Sequence, residues 1–120
     1  MQYVLLIYQG TTPVPTSREA WAALSEDERK AIYADYEAIN RTEGVIPGPP
    51  LGLPQSATTV RVQDGAPFAL NGPYVDTLGA VGGYLVLEAE DLDAAIGLAS
   101  RIPAARHGGA VEIRQVAKYW

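Results

Sequence analysis

The 120-residue chain contains no cysteine, one histidine and one phenylalanine. Without cysteine no disulfide can form, and packing has to hold the fold. A single histidine rules out a His-based metal site within one subunit, although a two-fold axis can bring two copies together. Only nine Lys and Arg residues stand against fourteen Asp and Glu, giving a net charge of −5. They are scattered and form no basic stripe to neutralise phosphates, so no nucleic-acid partner is expected. No apolar run approaches membrane-spanning length, and Met1 to Tyr8 lacks the basic flank of a signal peptide. The expectation is a soluble, cytoplasmic protein with no membrane partner. No metal set and no cofactor fingerprint is present, so flavin, nicotinamide and haem are not expected.

What is present fits one domain spanning residues 1–120, since no linker-like stretch divides the chain. Tyr3 to Tyr8 is apolar at nearly every position and reads as a strand buried on both faces. Thr16 or Ser17 caps a short helical turn carrying Ala20, Trp21 and Leu24. Ser25-Glu26-Asp27-Glu28 is a capping box that starts a helix running to about Glu43, with Ile32, Tyr36 and Ile39 on its apolar face and Gly44 as its stop. The proline-rich stretch Pro47 to Pro54 reads as a loop or distorted edge strand. Thr58 to Gln63 alternates as a strand, and Asp64-Gly65 signals a hairpin returning through Pro67 to Leu70.

Val81 to Glu88 is another strand, whose Gly82-Gly83 pair suggests a bulge or a close backbone approach. Asp91 caps a helix with Leu92, Ala95, Ile96 and Ala99 on one stripe, ended by Pro103. The last strand is Ala110 to Val116. The order is the split βαβ plan of a ferredoxin-like α+β domain with a hairpin insertion. Two helices cover one face of such a sheet, yet both faces of the first strand are apolar. The second face therefore calls for a homodimer, two sheets making a dimeric α+β barrel, or for the hairpin to fold over it.

Three groups of residues are candidates for chemistry, each with a plainer alternative. His107, between Arg106 and Gly108, has the intrinsic pKa of a general base or is an exposed loop residue. Glu112 and Arg114 share a strand face, which Arg61 and Glu88 join if their strands are neighbours. Such a cluster clamps an anion and moves a proton, or it is an ion-pair network at a dimer interface. Asp76 projects an acid into a pocket lined by Tyr8, Tyr74 and Tyr84, able to bind a planar organic molecule, or it shapes its own loop. The terminal Tyr119 and Trp120 are expected to pack, within the chain or across the dimer.

Several of these stretches resemble the YCII-related family in its DGPF subgroup. They are Tyr3 to Tyr8, Leu24 to Arg29, Thr58 to Arg61 and, most closely, Gly82 to Ala95 followed by Ile102 to Arg114. The resemblance implies a ferredoxin-like dimeric α+β barrel, in a family whose few characterised relatives include cofactor-free lyases and members associated with extracytoplasmic sigma factors. The Asp-Gly-Pro-Phe tetrad is here Asn71-Gly72-Pro73-Tyr74. Founding members carry a histidine on the first long helix, paired with an acid; this helix offers Tyr33 and Tyr36 instead. The reading that follows is a small-molecule-binding or regulatory homodimer. The alternative is a cofactor-independent lyase or isomerase transferring a proton through Asp76, His107 or Glu112.

Overall fold

In the computed structural model, which describes residues 1–119, the apolar first strand takes the central place that its composition demands. β1 (Gln2–Tyr8) pairs antiparallel with β5 (Val81–Glu88) on one side and with β6 (Ala110–Gln115) on the other. The short β2 (Val45–Pro47) closes the far edge of β5, giving the order β2-β5-β1-β6. The chain is α+β with antiparallel sheets, as expected. Among the described residues, no helix is long and apolar enough to cross a membrane.

One sheet face carries Tyr3, Leu5 and Ile7 of β1 with Leu85 and Leu87 of β5. They pack against Ile39 of α2 (Glu26–Asn40) and against Ala95, Leu98 and Ala99 of α3 (Leu92–Ala99), with Ile102 and Ala104 completing the core. Each large side chain buried here contributes roughly 1.5–3 kcal/mol of transfer free energy, so this layer supplies most of the drive to fold. The opposite face carries Val4, Leu6, Tyr8, Tyr84 and Val86, none of them fully buried. On the edge strand their neighbour Ile46 is 62% exposed.

The hairpin insertion stands apart. β3 (Thr58–Gln63) and β4 (Ala66–Asn71) form their own two-stranded sheet, closed by Asp64 at φ 51° and Gly65 at φ 78°. Two successive positive φ values are those of a type I′ turn, whose twist matches the strands it joins. The hairpin does not fold over the open face within its own chain, and Val60, Val62, Phe68 and Leu70 stay exposed. With this arm the molecule measures 50 × 41 × 19 Å and has a radius of gyration of 16.1 Å. A compact domain of this length has about 13.6 Å.

Local chemistry explains where the elements differ from expectation. α2 ends at Asn40 rather than near Glu43, and the Thr42 hydroxyl donates to the Ala38 carbonyl at 2.8 Å. Gly44 is used for close approach instead of capping: a Cβ there would lie 2.6 Å from the Glu88 carbonyl oxygen. On α3 the buried stripe is Ala95, Leu98 and Ala99, continued by Ile102, whereas Leu92 and Ile96 face outward. Two alanines on the stripe let the helix sit close to the sheet, which larger residues would prevent. Tyr119, expected to pack, is 84% exposed, and Trp120 lies outside the described residues.

The capping box at the start of α2 is complete. The Ser25 hydroxyl accepts from the Glu28 N–H at 3.0 Å, and the Glu28 carboxylate accepts from the Ser25 N–H at 2.9 Å. Those bonds hold the Glu28 carboxyl below its ordinary value of 4.5. A carboxylate depressed in the fold adds stability that is complete above 4.5 and is lost as pH falls through the folded value. Denaturant titrations of Ser25→Ala should show a loss of about 1 kcal/mol at pH 7. Glu28→Gln should flatten the acid limb of stability against pH; an unchanged limb would show that the box does not set it.

Candidate functional site

The site begins at an irregularity in the sheet. Ile7 pairs with Gly83 but Tyr8 pairs with Val81, so Gly82 is the extra residue of a bulge on β5. The next residue after β1, Gln9, lays its side chain across that glycine, where a Cβ would come within 2.5 Å of the Gln9 Cγ. The Gln9 backbone is fixed by a turn in which its carbonyl accepts from the Thr12 N–H at 2.8 Å. That turn is docked in turn on the loop before β6, with Thr11 N–H donating to the Gly108 carbonyl at 3.2 Å. The carboxamide oxygen Oε1 of Gln9 is buried and has no hydrogen-bond partner.

Above this bulge lies a cleft of about 800 Å³. α2 forms one wall with Ile32, Tyr33, Tyr36 and Asn40; Trp21 of α1 (Arg18–Ala22) adjoins it, its ring edge-on to Tyr33 at 5.4 Å. The proline-rich segment 47–55 forms the opposite wall, and Thr77, Leu78 and Ala80 close an end. Pro47 ends β2 because a proline that follows it cannot extend a ladder, and the backbone then arches away from the sheet. Gly48 stays tied to β5 by donating to the Tyr84 carbonyl at 3.1 Å, and its Cα faces the Tyr84 ring.

None of the described residues lining the cleft carries a formal charge. Its polar groups are amides, hydroxyls and phenols. Burial pushes the Tyr36 phenol above its ordinary value of 10.0, and hydrogen bonding with the Gln9 side chain acts in the other direction. A site of this kind binds a neutral, largely apolar molecule through shape and aromatic contact, with a few hydrogen bonds to orient it.

The residues singled out from sequence lie elsewhere, with one exception. Tyr84 lines the cleft. Asp76 is exposed and its Oδ1 accepts from the Gly79 N–H at 2.7 Å, so its carboxylate shapes the loop that supplies Thr77 and Leu78. His107 is exposed near the N-terminus of α2, where its charge is felt by Glu28. Glu112 and Arg114 form an ion pair at 2.6 Å on the open sheet face, beside Leu6 and Val4. That carboxylate holds the Arg114 guanidinium above its ordinary value, with smaller contributions from Tyr8 and Tyr119. Tyr8 sits on the same face, opposite Ala110.

Arg61 does not join this cluster, because β3 is not part of the main sheet. Its guanidinium instead lies 5.7 Å from the centre of the Tyr74 ring, a cation–π contact on the arm. Glu88, the other expected member, accepts from the chain's amino terminus at 3.0 Å. Tyr74 borders a second, shallower recess of about 450 Å³ with Leu51, Leu53 and Val81. Asp76, His107 and Glu112 therefore do not converge on one point. Sequence did note Tyr33 and Tyr36 on the helix for which the resemblance implies a histidine, and it marked the glycine pair. Nothing in the sequence distinguished Gln9 or gave the proline-rich loop a binding role.

A family model described as the YCII-related domain matches residues 1–119. A search of curated proteins finds no match.

The raised phenol gives the site a spectroscopic handle. In an alkaline ultraviolet titration one tyrosine should ionise later than the exposed ones, and Tyr36→Phe should remove that late step. In the unfolded chain the phenol ionises near 10.0, before it does in the fold. Its share of stability is therefore full below 10.0 and is lost as pH rises through the folded value. A titration in which Tyr36→Phe leaves the last step in place would assign it to another residue.

Proposed function

The chain belongs to the YCII-related family, and from that footing we propose that it is a ferredoxin-like homodimer of the dimeric α+β barrel type that binds a small neutral organic molecule. The observation that carries the binding role is the uncharged cleft of about 800 Å³ between α2 and the proline-rich segment. It falls in the size range of small-molecule sites and is walled by aromatic and apolar side chains.

Two features support the dimer. The open sheet face presents Val4, Leu6, Tyr8, Tyr84 and Val86 without a covering layer. The hairpin β3–β4 is a two-stranded ribbon with exposed Val60, Val62, Phe68 and Leu70. A ribbon of that kind is marginal alone and gains stability from a third surface. A second copy supplies both with one two-fold operation. The strand order β2-β5-β1-β6, with a helix between β1 and β2 and another between β5 and β6, supports the ferredoxin-like plan.

The alternative, a cofactor-independent lyase or isomerase, would have to move its proton through the phenol of Tyr33, Tyr36 or Tyr84. Asp76, His107 and Glu112 do not line the cleft. A phenol shifted upward is a weaker acid and is neutral at pH 7, which suits hydrogen bonding better than proton transfer. Binding without chemistry is the preferred reading.

Equilibrium sedimentation at low micromolar concentration should return twice the chain mass, and Leu6→Lys, which places a charge on the open face, should return the single chain. A wild-type monomer would end the dimer proposal. For the cleft, amide NMR shifts on titration with naphthalene should fall on Gly48, Leu51, Gly52 and Leu53 and on Gly82 and Gly83. A Cβ on Gly83 meets only the Ile7 Cδ1, at 4.0 Å. Gly83→Leu should therefore fill the cleft floor without straining the sheet and weaken binding at least tenfold, about 1.4 kcal/mol. Shifts that map elsewhere, or none, would remove the binding role.

A further inference from the structure

The single chain exposes 8237 Å² of surface, whereas a compact protein of its mass, 12.8 kDa, exposes roughly 6,300 Å². The excess, about 1,900 Å² per copy, is of the size that each subunit of an obligate dimer buries, about 1,000–2,500 Å². The arm is one source of it. The ladder sets Val60 and Val62 opposite Ala69 and Pro67 on one face of the ribbon, and Leu70 and Phe68 opposite Thr59 and Arg61 on the other. Both faces thus carry large apolar side chains, and both are exposed. A ribbon laid on its own body would hide one face; a ribbon apolar on two faces calls for a surface on each side.

The arm is also joined to the site. Its base is clamped where the Gly72 N–H donates to the Ala57 carbonyl at 2.7 Å and the Thr59 hydroxyl donates to the Gly72 carbonyl at 2.8 Å. Those bonds tie together the two stalks that carry the ribbon. Both stalks are cleft walls, with Leu53 and Pro54 on the way in and Leu78 and Ala80 on the way out. The first has only the short turn Pro54–Ser56, and residues 72–80 hold neither helix nor strand, so no ladder fixes either of them.

We propose that the arm of each copy seats on the other copy and thereby fixes the walls of its own cleft, so that ligand binding and dimerisation are one linked equilibrium. This rests on the homodimer and the binding role argued above and adds to them the regulation of the site. A second copy is the occupant because one two-fold operation covers the arm and the open sheet face together, each supplying the layer that the other lacks. Charge does not oppose it. The arm carries Arg61 and Asp64, and on the open face Arg114 pairs with Glu112 and Glu88 with the amino terminus, so two chains of net charge −5 meet over neutral patches. Walls restrained before the ligand arrives spare binding the entropy of ordering them. Reciprocally, a ligand that orders the walls sets the arm for docking.

The test combines sedimentation with naphthalene titration of the whole chain at pH 7. Val62→Lys places a charge on the arm, outside the cleft, where the side chain is 67% exposed in the single chain and its loss costs no core. Phe68→Lys does the same on the opposite face of the ribbon. Each should sediment as the single chain and bind naphthalene about fivefold or more weakly than the wild-type dimer. Because the dimer holds two clefts, saturating naphthalene should tighten wild-type dimerisation by the square of that factor, about 25-fold or more. Leu92→Lys, the same kind of change on the exposed face of α3, should alter neither. Gly83→Leu, which fills the cleft floor, should keep the dimer and lose the tightening.

Monomeric arm variants that bind naphthalene as tightly as the wild-type dimer would overturn the linkage while leaving the dimer and the cleft as they stand. Arm variants that stay dimeric would overturn the arm's part in the interface and leave the dimer to the open face alone. A wild-type monomer, or a wild-type dimer that takes up no naphthalene, would overturn the inference together with the reading on which it rests.

Discussion

β1 is apolar on both faces, and the rest of the molecule is arranged around that fact. Tyr3, Leu5 and Ile7 point to the helices; Val4, Leu6 and Tyr8 point away from them. No rotation of the strand satisfies both sets with two helices, because a side-chain period of two always leaves one set outside. The central position follows, since only there do neighbours on both edges share the load. The unpaired face follows too. Its residues are only partly buried in the single chain because two helices supply a layer for one face alone.

The cleft is a product of the same sheet at the place where it stops being regular. β2 has three residues because its third is Pro47, after which a run of prolines and glycines cannot hold a ladder. The backbone lifts off the β5 edge, and the gap between it and α2 remains empty. On the other side of that gap the bulge at Gly82 shifts the register by one and makes room for Gln9. A fully paired strand at 47–55 and a regular β5 would have filled this volume with side chains and left no site. The candidate site and the irregularities of the sheet coincide here.

Sequence alone revealed the features that depend on local chemistry. The capping box at Ser25 and the Asp64-Gly65 turn are each set by a few adjacent residues and stand as read, whereas the first strand, expected to be buried on both faces, is a strand buried on one face only in the single chain. The glycine pair was legible as a bulge because glycine inside a strand has few other uses. What failed depended on long-range placement. Arg61 joins Glu112 only if β3 is a neighbour in the main sheet, which it is not, and nothing in an alternating strand says which sheet it will join. The stripe on α3 was misjudged because Leu92 and Ile96 are larger than Ala95 and Ala99, yet close approach to the sheet selected the small pair with Leu98. Gln9 was invisible for a similar reason: its burial comes from the bulge across from it and the turn beneath it, neither of which shows at position 9.

The distribution of charge narrows what the cleft can hold. The ion pairs among the described residues lie on its outside: Lys30 with Glu26 and Arg41 with Glu37 along α2, Arg106 with Asp35 at its flank, Arg114 with Glu112 on the open face, and the amino terminus of Met1 with Glu88. All of them are substantially solvated, and pairs of that kind contribute about 0–1 kcal/mol each to stability. Any of these side chains placed in the cleft would have had a much larger effect, since desolvating an unpaired ion costs several kcal/mol. A charged ligand would bring that cost with it and find no opposite charge to offset it. A neutral ligand would face only the smaller cost of desolvating a hydroxyl or N–H, which the hydroxyls and amides lining the cleft could repay. The difference between those two magnitudes, and not the area of apolar wall, is what would favour uncharged molecules in such a cleft over the anions that an Arg-Glu cluster would have favoured.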